Sequence, residues 1–318
     1  MNNSRNSVTT QLLRRRSRAL ARHLSSAVAG DEHGVHQARV ATRRLREAVP
    51  VLASGLKHSK AGKAERTIRR LTRALGTVRE LDVTLGLIDS LAQDASLPRT
   101  AIDAVRPHVA AERDARRLIM LARLSDVNVD KLERRLSSVA EALRKTDGEA
   151  WREVLLTRLA RRGERLRRAV EEAGQMYGPE RLHAVRIAAK KLRYGLELAA
   201  ESGLAAAMPL LRPIKRVQEL LGQLNDRQVL LAHIGAVQAG QQAQSPPIHT
   251  ALEALARHVE DQCRHLHGRY LMSSRTLGDI CDAVAGLMPS GLGPKRGRRP
   301  LKMGLRSTAR TAASGARR

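Results

Sequence analysis

Aromatic side chains are nearly missing from this chain, which has no Phe, one Trp and three Tyr. Binders of single-stranded nucleic acid and RNA-recognition sheets stack bases on rows of rings, so neither mode is expected here. Cysteine is almost as scarce. Cys263 and Cys281 are the only two, without CxxC or paired Cys/His spacing, which argues against a disulfide framework or structural zinc and leaves two reduced thiols. No stretch of about 18 uncharged apolar residues is present to cross a membrane, and the opening MNNSRNSVTTQLLRRRSR has no signal-peptide core. A soluble, cytoplasmic protein is expected. Neither GxxxxGK(S/T), GxGxxG nor a nucleophile elbow occurs, so no enzyme activity and no cofactor are expected. His33 with His36, and Cys263 with His265 and His267, lack a further ligand at a useful spacing, so no metal is expected either. Acids are outnumbered: 31 Asp and Glu face 58 Lys and Arg, a formal charge of +27.

That excess is overwhelmingly arginine, since only ten of the 58 basic residues are Lys. Such a charge calls for a polyanionic partner, whether nucleic acid, anionic membrane or phosphate polymer. The planar guanidinium matches phosphate oxygens two at a time, where Lys offers a point charge. Leu, Ala, Arg and Glu dominate, and apolar residues recur at three- and four-residue steps, which predicts an all-α fold. Helices are expected over 8–29, 34–54, 60–95, 99–124, 127–145, 150–175, 179–202, 208–240, 248–272 and 275–287. Turns are expected at Gly30-Asp31, Leu97-Pro98, Asp147-Gly148, Gly178-Pro179 and Ser245-Pro246-Pro247. Residues 289–318 carry nine Lys or Arg, no acid and many Gly, Ser and Pro, the composition of a disordered basic tail.

With 318 residues the chain is long enough for two domains or one duplicated unit, and it repeats itself. HQARVATRRLR at 36–46 matches HAVRIAAKKLR at 183–193, five of eleven positions being identical at an offset of 147. RTIRRLTRALG at 66–76 matches RPIKRVQELLG at 212–222 in the same order. Two similar helical bundles made by duplication are therefore expected, over 1–147 and 148–288.

At about 100° per residue, His36, Arg39, Arg43 and Arg46 share one stripe about 80° wide. Ala38, Leu45 and Val49 form a separate apolar face for the helix's own bundle. His183, Arg186, Lys190 and Arg193 repeat the stripe, with Tyr194 beside it, whereas Arg44 and Lys191 fall off it. Arg66, Arg69, Arg70 and Arg73 form another cationic ridge, which Arg212, Lys215 and Arg216 reproduce. On that register Glu80 and Asp226 fall on the cationic side, placed to orient an Arg or His. A basic stripe is ordinarily a solvated face. Two copies holding the same stripe while neighbouring positions drift favour a shared ligand.

These duplicated HxxRxxx(R/K)(R/K)xR blocks, with LGTVREL at 75–81 and LGQLND at 221–226, resemble the CHAD family, named for its histidine and helical content. The resemblance covers roughly residues 8 to 272. It implies two helical bundles related by pseudo-twofold symmetry around a central basic channel that binds inorganic polyphosphate, in members that localise to polyphosphate granules. Carried over position by position, the implied ligand contacts are His36, Arg39, Arg43, Arg44, Arg46, His183, Arg186, Lys190, Lys191 and Arg193. Arg66, Arg69, Arg70, Arg212, Lys215 and Arg216 join them from neighbouring helices. Glu80 stands where members commonly have Asp, and Glu219 replaces the cation of Arg73. The ExExK signature of the triphosphate-tunnel domain found upstream in many relatives does not occur, so non-enzymatic binding is the expectation. A general nucleic-acid binder using its basic surface and tail is the alternative, and an adaptor recruiting granule proteins is compatible with the first reading.

Overall fold

The computed structural model describes residues 2–56, 59–145, 150–241 and 246–288. The expected boundary between the repeats at 147/148 and the tail at 289–318 lie outside the described residues. Those described contain helices and no strand, as the three- and four-residue periodicity requires. Ten α-helices follow one another: α1 (Asn2–Val28), α2 (Glu32–Leu52), α3 (Ser59–Ala74), α4 (Gly76–Leu91), α5 (Arg99–Ser125), α6 (Val129–Lys145), α7 (Ala150–Ala173), α8 (Pro179–Glu201), α9 (Met208–Gln241) and α10 (Pro246–Ala285). No helix among them is long and apolar enough to cross a membrane.

Turn chemistry places the boundaries. Gly30 takes the left-handed φ of 81° that ends α1. Asp31 then caps α2, its carboxylate accepting from the Gly34 amide at 2.6 Å. Pro179 opens α8 at the position where a missing N–H costs nothing. Two expected boundaries are corrected. The stretch 60–95 is not one helix, because a one-residue interruption at Leu75 (φ −74°, ψ −4°) separates α3 from α4. The helices expected at 248–272 and 275–287 are one, and Ser273 and Ser274 within it donate their hydroxyls back to the carbonyls of Arg269 and Leu271, at 3.0 and 2.7 Å, without ending it.

Shifted by 147 residues, the bounds of α1 and α2 fall on α7 and α8, those of α3 and α4 within or beside α9, and those of α5 on the first part of α10. The packing pairs recur as well. α1 packs on α2 and α6 as α7 packs on α8 and α10, α2 packs on α3 as α8 does on α9, and α4 packs on α5 as α9 does on α10.

Two apolar cores result. The larger draws on both halves, for example Leu13, Leu45, Ile68 and Leu136 from the first and Leu159, Leu192, Ile214 and Leu277 from the second. The smaller holds the far ends of four helices: Ile88 of α4, Val105 of α5, Leu230 and Ile234 of α9, and Leu252 and Val259 of α10. α9 and α10, 34 and 40 residues long, run through both.

Candidate functional site

α2 and α8 each turn one face into the larger core. Val35, Ala38, Leu45 and Val49 are buried on α2, as are Val185, Ala189, Leu192 and Leu196 on α8. The two helices also pack against each other, and parts of their polar stripes meet in a cleft of about 300 Å3, whose wall does not include Arg46, Arg186 or the exposed His183. α2 supplies His36, Arg39, Arg43 and Arg44 to its wall. α8 supplies Lys190, Arg193, Tyr194 and Glu197, and α9 adds Gln218.

The cations here are held against their own repulsion. Burial, then Arg43, pushes the Arg39 guanidinium down to about 10, and Arg186 contributes in the same direction. Burial lowers Arg186 too, while Asp226 and Glu80 act to raise it. Lys190 is the extreme case. Burial first, and then Arg43, Arg186, Arg39 and Arg193, bring its amine from the usual 10.5 to about 7. Arg193 donates to Glu197 at 3.0 Å and lies with its guanidinium carbon 4.6 Å from the centre of the Tyr194 ring. Arg44 approaches Glu197 at 3.8 Å.

Hydrogen-bonding capacity around the cleft is left over. Arg39 Nε, Arg193 Nε, His36 Nδ1, Gln218 Oε1 and Glu197 Oε2 are buried without a hydrogen-bond partner. A buried polar atom left unpaired costs about 1–3 kcal/mol, so five of them on the side chains lining one cavity are a concentration of unmet hydrogen-bonding capacity.

The two motif histidines differ. His183 Nδ1 lies 2.9 Å from Oδ1 of the buried Asn225. The residue matching Asn225 in the first half is Arg79, which donates to Glu32 at 3.1 Å instead. Burial, followed by Arg79, Arg39, His33 and Arg43, lowers the His36 imidazole below its usual value.

Comparison with known proteins places this arrangement. The profile of the CHAD domain matches residues 11–235, most of the chain. The protein belongs to the CHAD-domain family. Among solved structures it is similar to the CHAD domain from the plant Ricinus communis (TM-score 0.56, 20% identity, 89% of this chain and 92% of that one covered). It is also similar to PptA from Streptomyces chartreusis (TM-score 0.62, 14% identity, 85% and 99% covered). At these identities the likeness is one of fold. Among curated proteins, none matches the sequence.

Within this CHAD domain the remaining positions singled out from sequence separate into two groups. Glu80 and Asp226 lie near the cations, since Glu80 acts on both Arg39 and Arg186, and Asp226 acts on Arg186. Burial raises the Asp226 carboxyl, and Arg186 works against that rise. Arg46 is exposed on α2 and does not line the cleft; partial desolvation, then Arg43 and, more weakly, Arg69 of α3 lower its guanidinium, against Glu47. Arg69 is exposed and ion-paired with Glu65. Arg66 and Arg70 are exposed on α3, as are Arg212, Lys215 and Arg216 on α9, and none of them lines the cleft. Lys191 is also exposed, and its carbonyl accepts from Arg162 at 2.8 Å. Glu197, Gln218 and Asn225 were not anticipated. Glu197 carried a signal, four residues after Arg193 on one helix face, whereas Gln218 and Asn225 are neutral and a search for charge passes over them.

Arg44 also lines a second cavity of about 320 Å3 with Arg15, Arg16 and His23 of α1 and with Glu201. Arg16, nearly fully buried, donates to the Arg44 carbonyl at 2.7 Å, so the cationic surface continues from α2 onto α1.

Proposed function

We propose that this CHAD-domain protein binds inorganic polyphosphate in the cleft between α2 and α8, catalyses no reaction on it, and gathers at polyphosphate granules in the cytoplasm. The observation that carries this reading is a set of mutually repelling, half-buried cations, Arg39, Arg43, Arg186 and Lys190, beside buried donor nitrogens that have no partner. Polyphosphate has no bases to read. It needs closely spaced donors, and a stripe running from residue 36 to residue 46 supplies them along about 15 Å of helix. Rings for stacking are not needed, in keeping with their scarcity.

Duplex DNA asks for a different shape, an element that fits a groove about 12 Å wide. Cations recessed between two helices cannot follow a duplex, whereas a single phosphate chain can enter. The test uses residues 1–288, which form one compact unit, so that the basic C-terminal segment does not contribute. Arg39→Ala with Arg186→Ala is expected to weaken polyphosphate binding by more than about 2 kcal/mol, because charge-assisted hydrogen bonds contribute about 1.5–3 kcal/mol each. Duplex DNA binding is expected to change little. Equal losses for both ligands, or tighter binding of duplex DNA than of long polyphosphate at moderate salt, would replace this reading with general nucleic-acid binding.

A further inference from the structure

Away from the cleft, α5 and α9 bring together three side chains that no sequence motif connects. His108 and Glu112 stand one turn apart on α5, and His233 faces them from α9. One ligand atom from each lies within 4.8 Å of the other two. The two imidazole rings meet edge to face with centroids 5.8 Å apart, and His233 Nδ1 is 3.7 Å from Glu112 Oε2. We propose that His108, Glu112 and His233 form a binding site for a divalent transition-metal ion of the zinc class, with one coordination position left open.

The geometry asks for little movement. Donors bonded to one tetrahedral ion at about 2.0–2.1 Å stand about 3.3 Å from each other, so Glu112 and His233 are nearly at ligating separation already. His108 is exposed, and closing to that separation asks it to move inward by at most about 1.5 Å, a shift within one side chain's rotamer freedom. Glu112 is oriented for the task, because its other oxygen, Oε1, accepts from Arg116 at 3.3 Å and leaves Oε2 turned towards His233.

The donor set selects the metal. Two imidazoles and a carboxylate suit zinc, nickel or copper, whereas magnesium and calcium require oxygen ligands and gain nothing from the histidines. Three protein ligands are one short of a closed structural site, so the fourth position is open to water or an incoming anion. The imidazoles must be unprotonated to bind. Burial favours the neutral form of His233, against the pull of Glu112 and Glu80 in the other direction.

The experiment is calorimetric titration of the whole protein with zinc chloride in phosphate-free buffer, together with cobalt(II) absorption as a report on coordination. The native protein is expected to take up one equivalent tightly, and cobalt is expected to give the intense visible bands of a four- or five-coordinate site. His108→Ala, a change at an exposed position, is expected to lose that equivalent and those bands. Glu112→Gln is expected to weaken binding at least about tenfold, the size of effect that even outer-shell partners of metal sites have. A native isotherm for His108→Ala, or no tight equivalent in the native protein, overturns the proposal.

Discussion

Lys190 owes its chemistry first to burial and then to its neighbours. An amine that titrates near 7 is largely neutral just above neutral pH, and the polyanion proposed for the cleft would restore its reason to be charged. Such binding is expected to take up a proton, so that affinity falls as pH rises above about 7, by at most about tenfold per pH unit for one proton. His36, lowered below its usual value by burial and by Arg79, adds a slope of the same sign at lower pH. Titrations of polyphosphate across pH 6 to 9 are expected to show this decline. Lys190→Arg is expected to abolish the part above pH 7 and to leave the His36 part in place. For the free protein the sign is the reverse. The folded-state value of Lys190 lies below the ordinary 10.5, so the cost of burying its charge is present in full below about 7 and is relieved as pH climbs towards 10.5.

Helices, in turn, are held in register by ion pairs that cross between the halves. Glu47 of α2 is buried, and Arg162 of α7 grips both its oxygens at 2.7 Å, with Arg158 at 3.4 Å. Gly195 of α8 makes room for this grip, because a Cβ there would stand 3.1 Å from Arg162 Nη1 and 2.8 Å from Leu159 Cδ2. Arg162→Met strips the bidentate partner from a buried carboxylate and is expected to destabilise the fold by about 3 kcal/mol, read as a shifted urea midpoint. Glu201 of α8 makes a similar link to α1, accepting from Arg15 at 2.6 Å and Arg16 at 3.3 Å. None of these pairs is legible in the sequence. Arg162 and Glu47 are 115 residues apart, and with so many arginines no spacing picks the partner. The helices themselves are legible, because periodicity, Pro179 and Gly30 are local signals. The same holds for the stripe from His36 to Arg43 and its copy, since rotation per residue alone decides which side chains share a face. The second ridge is a different case. Arg66, Arg69 and Arg70 on α3 and their counterparts Arg212, Lys215 and Arg216 on α9 all remain on the exposed surface. Leu75-Gly76 interrupts a helix where Leu221-Gly222 does not. A local sequence repeat cannot say which neighbour will cover it.

At the scale of the molecule, a formal charge of +27 and an apolar core shared by both halves pull against each other. The cluster of Arg39, Arg43, Arg186 and Lys190 lies across the seam that this core closes, with α2 on one side and α8 on the other. Water alone screens them poorly. Dissolved ions bring the distance over which exposed charges act down to about 10 Å at 0.1 M and about 3 Å at 1 M. A protein stabilised chiefly by surface ion pairs loses ground when salt is added. Here the dominant exposed interaction is repulsion, so the melting temperature is expected to rise as sodium chloride is added, and to rise further with sulfate at equal ionic strength, because a divalent oxyanion can enter the cleft. Differential scanning calorimetry across a salt series reads this directly, and a falling or flat melting temperature would speak against it. The expected consequence is practical as well as physical: the choice of buffer ion should decide how firmly the two halves of this fold hold together.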